Sequence, residues 1–324
     1  MGMTAFNPIE ASTLKESKKG REVWIASLTQ HQIGGETFRD AISSAVRQME
    51  IALPFAPDIY CLPEVFHVVG IKENQQPLEK TAENGSGNII APFQEFAKRH
   101  QSYVICPVYT AEAGKYYIAA VLIDRKGEKI GEYRKARLTV DEMEMGLTPG
   151  PLDPPVFQVD FGTIGIQICY DIEWQDGWKA LSQKGAEIVF WPSAFAAGKK
   201  INTKAWENQY CVVASTRKDT TKICDITGEE LAISGIWNPW GVCVPVNLEK
   251  AFLHSWPYAQ SFPEIEKKYG RKVRCYSLHE EEFSILESLS PDLKVADILK
   301  EFNLKTYREH LQIAEDLQTK LRNA

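Results

Sequence analysis

The chain has 324 residues, 44% hydrophobic and 25% charged, which excludes disordered, collagen-like and disulfide-scaffold classes. A net charge of −6 argues against a nucleic-acid partner, which would need a basic surface. No apolar run approaches the ~20 residues of a membrane span, so no membrane partner is expected.

The first 20 residues, MGMTAFNPIEASTLKESKKG, read as a polar lead-in without the apolar stretch of a secretory signal. Seven cysteines with no C-x-x-C pair read as reduced thiols, and the expected location is cytoplasmic. VWIASL at 23–28 is a buried strand. Phe38, Ile42, Ala45, Val46 and Met49 then share one face of an amphipathic helix. DIYCL at 58–62 is a second core strand stopped by Pro63, and a strand–helix–strand unit of this kind pairs in parallel through a right-handed crossover. The polar stretch 71–88 reads as a long loop. A helix over 90–100 and a strand over 103–109 follow. Hairpins are expected at 116–133, around the turn DRKG, and at 156–168, around Gly162. Helices near 174–184 and 202–209 lead into strands at 186–191 and 211–216. A loop is expected over 217–233, and the WNPW segment with Trp237 and Trp240 reads as a turn between late strands. Residues 281–324 read as a helical extension packed on the domain, on a partner subunit, or solvated. The expected organisation is therefore a lead-in over 1–20, an α/β domain over 21–280 and a C-terminal helical tail over 281–324.

Three segments carry a reactive side chain at or just beyond the end of an apolar strand, the place where ligands gather in α/β sheets. They are DIYCLPE ending at Glu64, GEYRK ending at Lys135 and TIGIQIC ending at Cys169. Each alone reads most simply as a rim acid, a surface lysine and a small buried hydrophobe. Together they supply a base, a cation and a nucleophile. No H-E-x-x-H, P-loop or G-x-G-x-x-G motif occurs, and no metal or cofactor is expected.

The three segments, LPEVF, YRKARL and GIQICYDIEW, together with LTPG at 147–150, FWPSAF at 190–195 and KAWENQYCVVAS at 204–215, resemble the nitrilase, or carbon–nitrogen hydrolase, superfamily. The likeness runs from Val23 to Ser215. It implies a four-layer αββα sandwich, a homodimer or higher homo-oligomer, and a Glu64–Lys135–Cys169 trio acting on a small amide-type substrate. A second glutamate lies between lysine and cysteine in this family. Glu142 suits that role by its spacing from Lys135, with Glu144 as the alternative. Lys135 is expected to lower the pKa of the Cys169 thiol, Glu64 to take its proton, and the Tyr170 N–H to join Lys135 in holding an oxyanion. Tyr60 and Trp191 are expected to line the acyl pocket. Cys-Tyr-Asp after the strand resembles the amide-cleaving branches rather than nitrilases. Glu173 stands where amidases of dicarboxylic acid amides carry arginine, so it would repel a substrate carboxylate, and a neutral or cationic amide or an N-carbamoyl amine is the expected substrate. Nitrile hydrolysis by the same trio is the alternative chemistry, and a catalytically idle binding or scaffolding module the alternative class.

Overall fold

The computed structural model describes residues 21–72, 76–218 and 220–324, so the expected lead-in over 1–20 lies outside the described residues. The chain divides into two compact units, one of Val23–Val246 and one that includes Asn247–Ala324. This differs from the expected boundary at 280.

In the larger unit, the first sheet runs in the order β13 (Gly241–Asn247), β1 (Glu22–Leu28), β2 (Ile59–Cys61), β4 (Tyr103–Glu112), β5 (Lys115–Ile123), β6 (Lys129–Arg134), with the short β3 (Ala82–Glu83) on β4. β1, β2 and β4 are parallel, as the strand–helix–strand pattern requires. β5 is antiparallel to both β4 and β6, so β6 points the same way as β2. The second sheet runs β12 (Glu230–Ile233), β11 (Lys222–Cys224), β10 (Cys211–Thr216), β9 (Ile188–Ser193), β8 (Gly162–Ile166), β7 (Val156–Val159).

Strand periodicity assigns the faces. On the first sheet Ala26, Leu28, Tyr60, Leu62, Val104 and Cys106 form one cluster with Ala41, Ile42, Ala45 and Met49 of helix Phe38–Glu50 and Phe93, Phe96 and Ala97 of helix Ala91–His100. Thr37 and Asp40 close the first of these helices with a capping box. On the second sheet Val189, Trp191, Val212 and Ala214 pack with Trp178 and Leu181 of helix Asp176–Gln183 and Ile201 and Ala205 of helix Lys199–Asn208. The alternate residues meet between the sheets. There Ser215 Oγ donates to the carbonyls of Leu28 (2.7 Å) and Cys61 (3.0 Å), and Ser27 Oγ lies 2.9 Å from Thr221 Oγ1. These small hydroxyls satisfy buried carbonyls where the two backbones approach. The outcome is helix, sheet, sheet, helix, the expected four-layer sandwich.

Three segments depart from expectation. The loop over 71–88 holds a helical turn, Leu78–Thr81, and β3, organised by the Glu83 carboxylate, which accepts from the backbone N–H groups of Gly85, Gly87, Ile89 and Ile90. The loop over 217–233 is a hairpin: β11 and β12 pair around a turn at 225–228, with Lys222 tied to Glu230 across it. The segment 281–324 is not all helix. It opens with β16 (Phe283–Ser288), the centre of an antiparallel sheet with β14 (Lys250–His254) and β15 (Val273–Leu278). Helices Phe262–Tyr269, Val295–Glu301 and Tyr307–Arg322 complete the smaller unit, whose core includes Leu253, Ile265, Leu286 and Ile298. Among the described residues no helix is long and apolar enough to cross a membrane.

Candidate active site

The carboxyl ends of β2, β6 and β8 carry the three candidate residues. Glu64 follows β2 after Leu62, whose N–H extends the ladder to the Ile105 carbonyl at 3.2 Å, and Pro63, which stops it. Val65, next to it, has φ 39°, a left-handed conformation costly for a β-branched residue. Lys135 directly follows β6. Its N–H donates to the Ile118 carbonyl and its carbonyl accepts from the Gly150 N–H, each at 2.8 Å. A side chain at Gly150 would place its Cβ 2.3 Å from the Arg134 carbonyl oxygen, so the LTPG segment ends on glycine for want of room. Cys169 opens a 3₁₀ turn, Cys169–Glu173, three residues beyond β8, and holds φ at 45°.

The strained turn at Cys169 is held from several sides. Asp171 Oδ2 accepts from the Ile168 N–H (2.8 Å) and the Tyr133 hydroxyl (2.7 Å), and its Oδ1 from the Arg137 N–H (2.8 Å). One buried carboxylate thus ties the cysteine turn to the segment that carries Lys135. Burial pushes the Asp171 carboxyl up to about 6, against the downward pull of those three donors and of the Lys135 charge. Two buried indoles hold carbonyls of the same turn: Trp191 Nε1 donates to Cys169 at 3.0 Å and Trp178 Nε1 to Asp171 at 3.2 Å. In a 3₁₀ turn whose first bond runs from the Asp171 N–H to the Ile168 carbonyl, the Tyr170 N–H is left unused by the turn itself.

The Lys135 ammonium is buried between two carboxylates, 2.9 Å from Glu64 Oε1 and 2.6 Å from Glu142 Oε1. Burial alone would lower its pKa. The charges of Glu64 and Glu142 oppose that, and the pKa lies above the ordinary value, so the group stays an ammonium. Glu142 Oε2 also accepts from the Thr139 N–H at 2.9 Å, capping the helical turn Val140–Glu144. Glu144 on that turn is exposed. Of the two candidates, Glu142 is the one brought to Lys135. Glu142→Gln, which puts an amide N–H₂ against either the Lys135 or the Thr139 donor, should lower turnover by roughly 10- to 100-fold, while Glu144→Gln should leave it within about twofold, in a steady-state ammonia assay.

Glu64 Oε2 is buried and accepts no hydrogen bond among the described residues, with Arg217 Nη2 3.6 Å away. Cys169 is 5% exposed. Its thiol is pushed up to about 12 by burial and by the Glu64 charge, against the lowering effects of Lys135, the Ala194 N–H and the Ser193 hydroxyl. This corrects the expectation of a thiol made acidic by lysine: Lys135 does pull the pKa down, but desolvation and the carboxylate win, and the resting form is the thiol.

Other expectations change with the geometry. Tyr60 does not face the trio. One place out of phase with Cys61, it sits in the helix-side cluster, edge-on to Phe96 with ring centroids 5.2 Å apart. Trp191 is wholly buried and serves the Cys169 carbonyl rather than an acyl pocket. Glu173 is gripped by Lys200, whose Nζ donates to Oε1 at 2.6 Å and Oε2 at 2.8 Å, so its charge is paired and the argument that it repels a substrate carboxylate is lost. Tyr170 meets Trp174 edge-on, and Arg137 lies over the Trp174 ring, 5.0 Å from its centroid. Asp171, Ser193 and Arg217 are additions that the residue types alone did not announce. Their place on the strands is the signal that could have found two of them, since Ser193 closes β9 and Arg217 directly follows β10. Among the described residues no cluster of histidine, cysteine and carboxylate side chains suits a metal ion.

Comparison with known proteins agrees with this architecture. The family model described as carbon-nitrogen hydrolase matches residues 26–251. A deaminated glutathione amidase of Synechocystis is 28% identical over 194 residues, 53% of this chain and 70% of that protein. The human deaminated glutathione amidase is 34% identical over 149 residues, covering 40% of this chain and 43% of that protein. Among solved structures, an amidase from Nesterenkonia superposes with TM-score 0.60 at 18% identity, covering 77% of this chain and 97% of that one. A Saccharomyces cerevisiae member of branch 10 of the nitrilase superfamily superposes with TM-score 0.59 at 16% identity, covering 78% of this chain and 97% of that one. At such identities the structural likeness speaks for the fold.

Proposed function

The chain belongs to the carbon–nitrogen hydrolase family, enzymes that cleave non-peptide C–N bonds, and from that premise we propose that it hydrolyses a small amide or N-carbamoyl amine through a thioester on Cys169. The observation that carries this reading is the buried Lys135 ammonium bonded to Glu64 Oε1 and Glu142 Oε1, while Glu64 Oε2 is left without a hydrogen-bond donor. Two carboxylates fix the cation, and one keeps an oxygen open for a proton.

The chemistry follows from the protonation states. A thiol pushed up to about 12 is a poor nucleophile at neutral pH, so its proton must leave as the S–C bond forms, and Glu64 Oε2 is the acceptor. The carbonyl oxygen gains negative charge and is held by Lys135 Nζ and the Tyr170 N–H, donors already fixed before the reaction. Glu64 returns the proton to the leaving nitrogen, the C–N bond breaks, and ammonia or an amine departs, leaving the acyl group on sulfur. A water then gives a proton to Glu64 and adds to the thioester carbonyl; collapse expels the sulfur, which recovers the proton, and the acid is released. Lys135 stays an ammonium throughout, because its raised pKa makes it a poor proton donor. Catalysis of this kind asks no metal or cofactor of the chain. We also propose a cytoplasmic location, expected from the reduced cysteines, and a homo-oligomeric assembly, which the family resemblance implies.

Turnover of one acyl group presented as primary amide, N-carbamoyl amine and nitrile tests the reaction class. A panel of acyl groups, with the deaminated glutathione of the relatives' names included, tests the substrate. Ammonia release from an amide or carbamoyl amine well above that from the matched nitrile is the expected result. A nitrile turned over faster than its amide would move the chain to nitrile chemistry, and no turnover of any compound would favour a binding role.

A further inference from the structure

Arg217 stands outside every motif that first pointed to the site. Its backbone N–H donates to the Ser193 carbonyl at 2.9 Å, adding one more bond at the end of the β9–β10 ladder. Its Nε donates to the backbone carbonyl of Glu64 at 2.6 Å, and its Nη2 stands 3.6 Å from Glu64 Oε2. The arginine side chain is 24% exposed and the glutamate side chain 1%. Ser193, at the other end, turns its hydroxyl to the Cys169 thiol and to the Phe195 N–H.

We propose that Arg217 is the positioning residue for Glu64, clamping that residue by main chain and side chain and tying it to Ser193 at the end of β9, whose hydroxyl faces the Cys169 thiol. This rests on the cysteine–carboxylate reading above. The physical need is visible in the backbone. Glu64 sits beyond the end of its strand, beside a valine held at φ 39°, and a strained segment relaxes unless its surroundings hold it. A guanidinium suits this task because its donors lie in one rigid plane, so one can hold a carbonyl while another faces a carboxylate. At 3.6 Å the second contact is electrostatic and too long for a hydrogen bond, so it restrains Oε2 without occupying the lone pairs that accept the proton. Lysine, a point charge on a flexible stem, offers no pair of donors fixed in that plane.

The test compares wild type, Arg217→Gln, Arg217→Lys and Cys169→Ala on the best amide of the panel, with kcat, KM and thermal unfolding recorded for each. In Arg217→Gln kcat should fall by roughly 10- to 100-fold with KM changed by no more than about twofold, since the base acts only in the transition state. Millimolar guanidinium should restore part of that loss, and Arg217→Lys should fall between wild type and Gln at an unchanged melting temperature. Wild-type kcat in Arg217→Gln overturns the proposal. So does a rise in KM alone, confined to amides bearing a carboxylate, because Arg217 would then be receiving substrate. A loss relieved neither by guanidinium nor by lysine overturns it as well. If Arg217→Gln does not fold, Arg217→Lys decides: reduced kcat at unchanged KM supports the clamp, and wild-type kcat overturns it. Ammonia release at the wild-type rate from Cys169→Ala ends the cysteine reading itself; an inactive Cys169→Ala beside a fully active Arg217→Gln removes only the clamp.

Discussion

Cys169→Ala should reduce ammonia release from the best amide by roughly 10⁴-fold or more while the protein stays folded. The size of the effect follows from the role. In the proposed mechanism the acyl bond forms on the Cys169 sulfur, and without it the Glu64–Lys135–Glu142 cluster can still polarise a carbonyl but has no thiol to attack it. The fold should survive because the substitution removes one sulfur and leaves the main-chain bonds that shape the turn. The Trp191 indole still reaches the residue 169 carbonyl, and Asp171 still accepts from Ile168, Tyr133 and Arg137. Cys169→Ser should be nearly as inactive, since a hydroxyl is far less acidic than a thiol and the site already raises the thiol. An ammonia-coupled assay with thermal unfolding of the same samples measures both sides. Release within tenfold of wild type from the alanine variant would show that sulfur is not the nucleophile.

Lys135→Met should lose both activity and stability. Methionine matches the apolar stem but leaves Glu64 and Glu142, now held 2.9 Å and 2.6 Å from a cation, facing a neutral tip. Removing one partner of a buried ion pair typically costs about 3–5 kcal/mol. The loss of an oxyanion donor costs a further ~10²–10³ in kcat, so turnover should fall by at least that factor. The pH dependence has a fixed sign. A lysine whose pKa is raised on folding contributes stability that is complete below its ordinary value of 10.5 and fades only as pH climbs toward the folded value. The gap between wild type and Lys135→Met in denaturant unfolding should therefore be constant between about pH 7 and 9 and narrow only in strong alkali. A variant as stable as wild type would mean that the lysine is not the hub of the buried charges.

Much of the fold was legible because its core elements are apolar runs closed by strong stops. VWIASL before the glycines, DIYCL before Pro63 and the DRKG turn each announce one element and its end. The elements that escaped are those whose polar residues are satisfied in ways a linear reading does not show. β16 contains Ser284, which meets the hydroxyls of Ser255 and Ser277 at 2.7 Å, and Glu287, which is paired with Arg274. β11 and β12 carry the Lys222–Glu230 pair. Such segments look like loops until their partners are known. The site divides in the same way. Glu64, Lys135 and Cys169 were legible because each puts reactive chemistry at a strand end, and the family resemblance added Glu142. The directions of neighbouring side chains were not legible. Tyr60 faces the helices because strand phase places it there, and Glu173 is neutralised by a lysine 27 residues away. The acidity of the thiol also escaped, since it depends on burial, which the order of residues does not reveal.

In the proposed reaction the acyl group of the substrate passes through the sulfur of Cys169. Intact-protein and peptide mass spectrometry of acid-quenched turnover mixtures tests it most directly. The expected result is a shift equal to the acyl group less one hydrogen, confined to the Cys169 peptide and absent from Cys169→Ala. Turnover with no shift at any quench time, or the same shift on another residue, would contradict it.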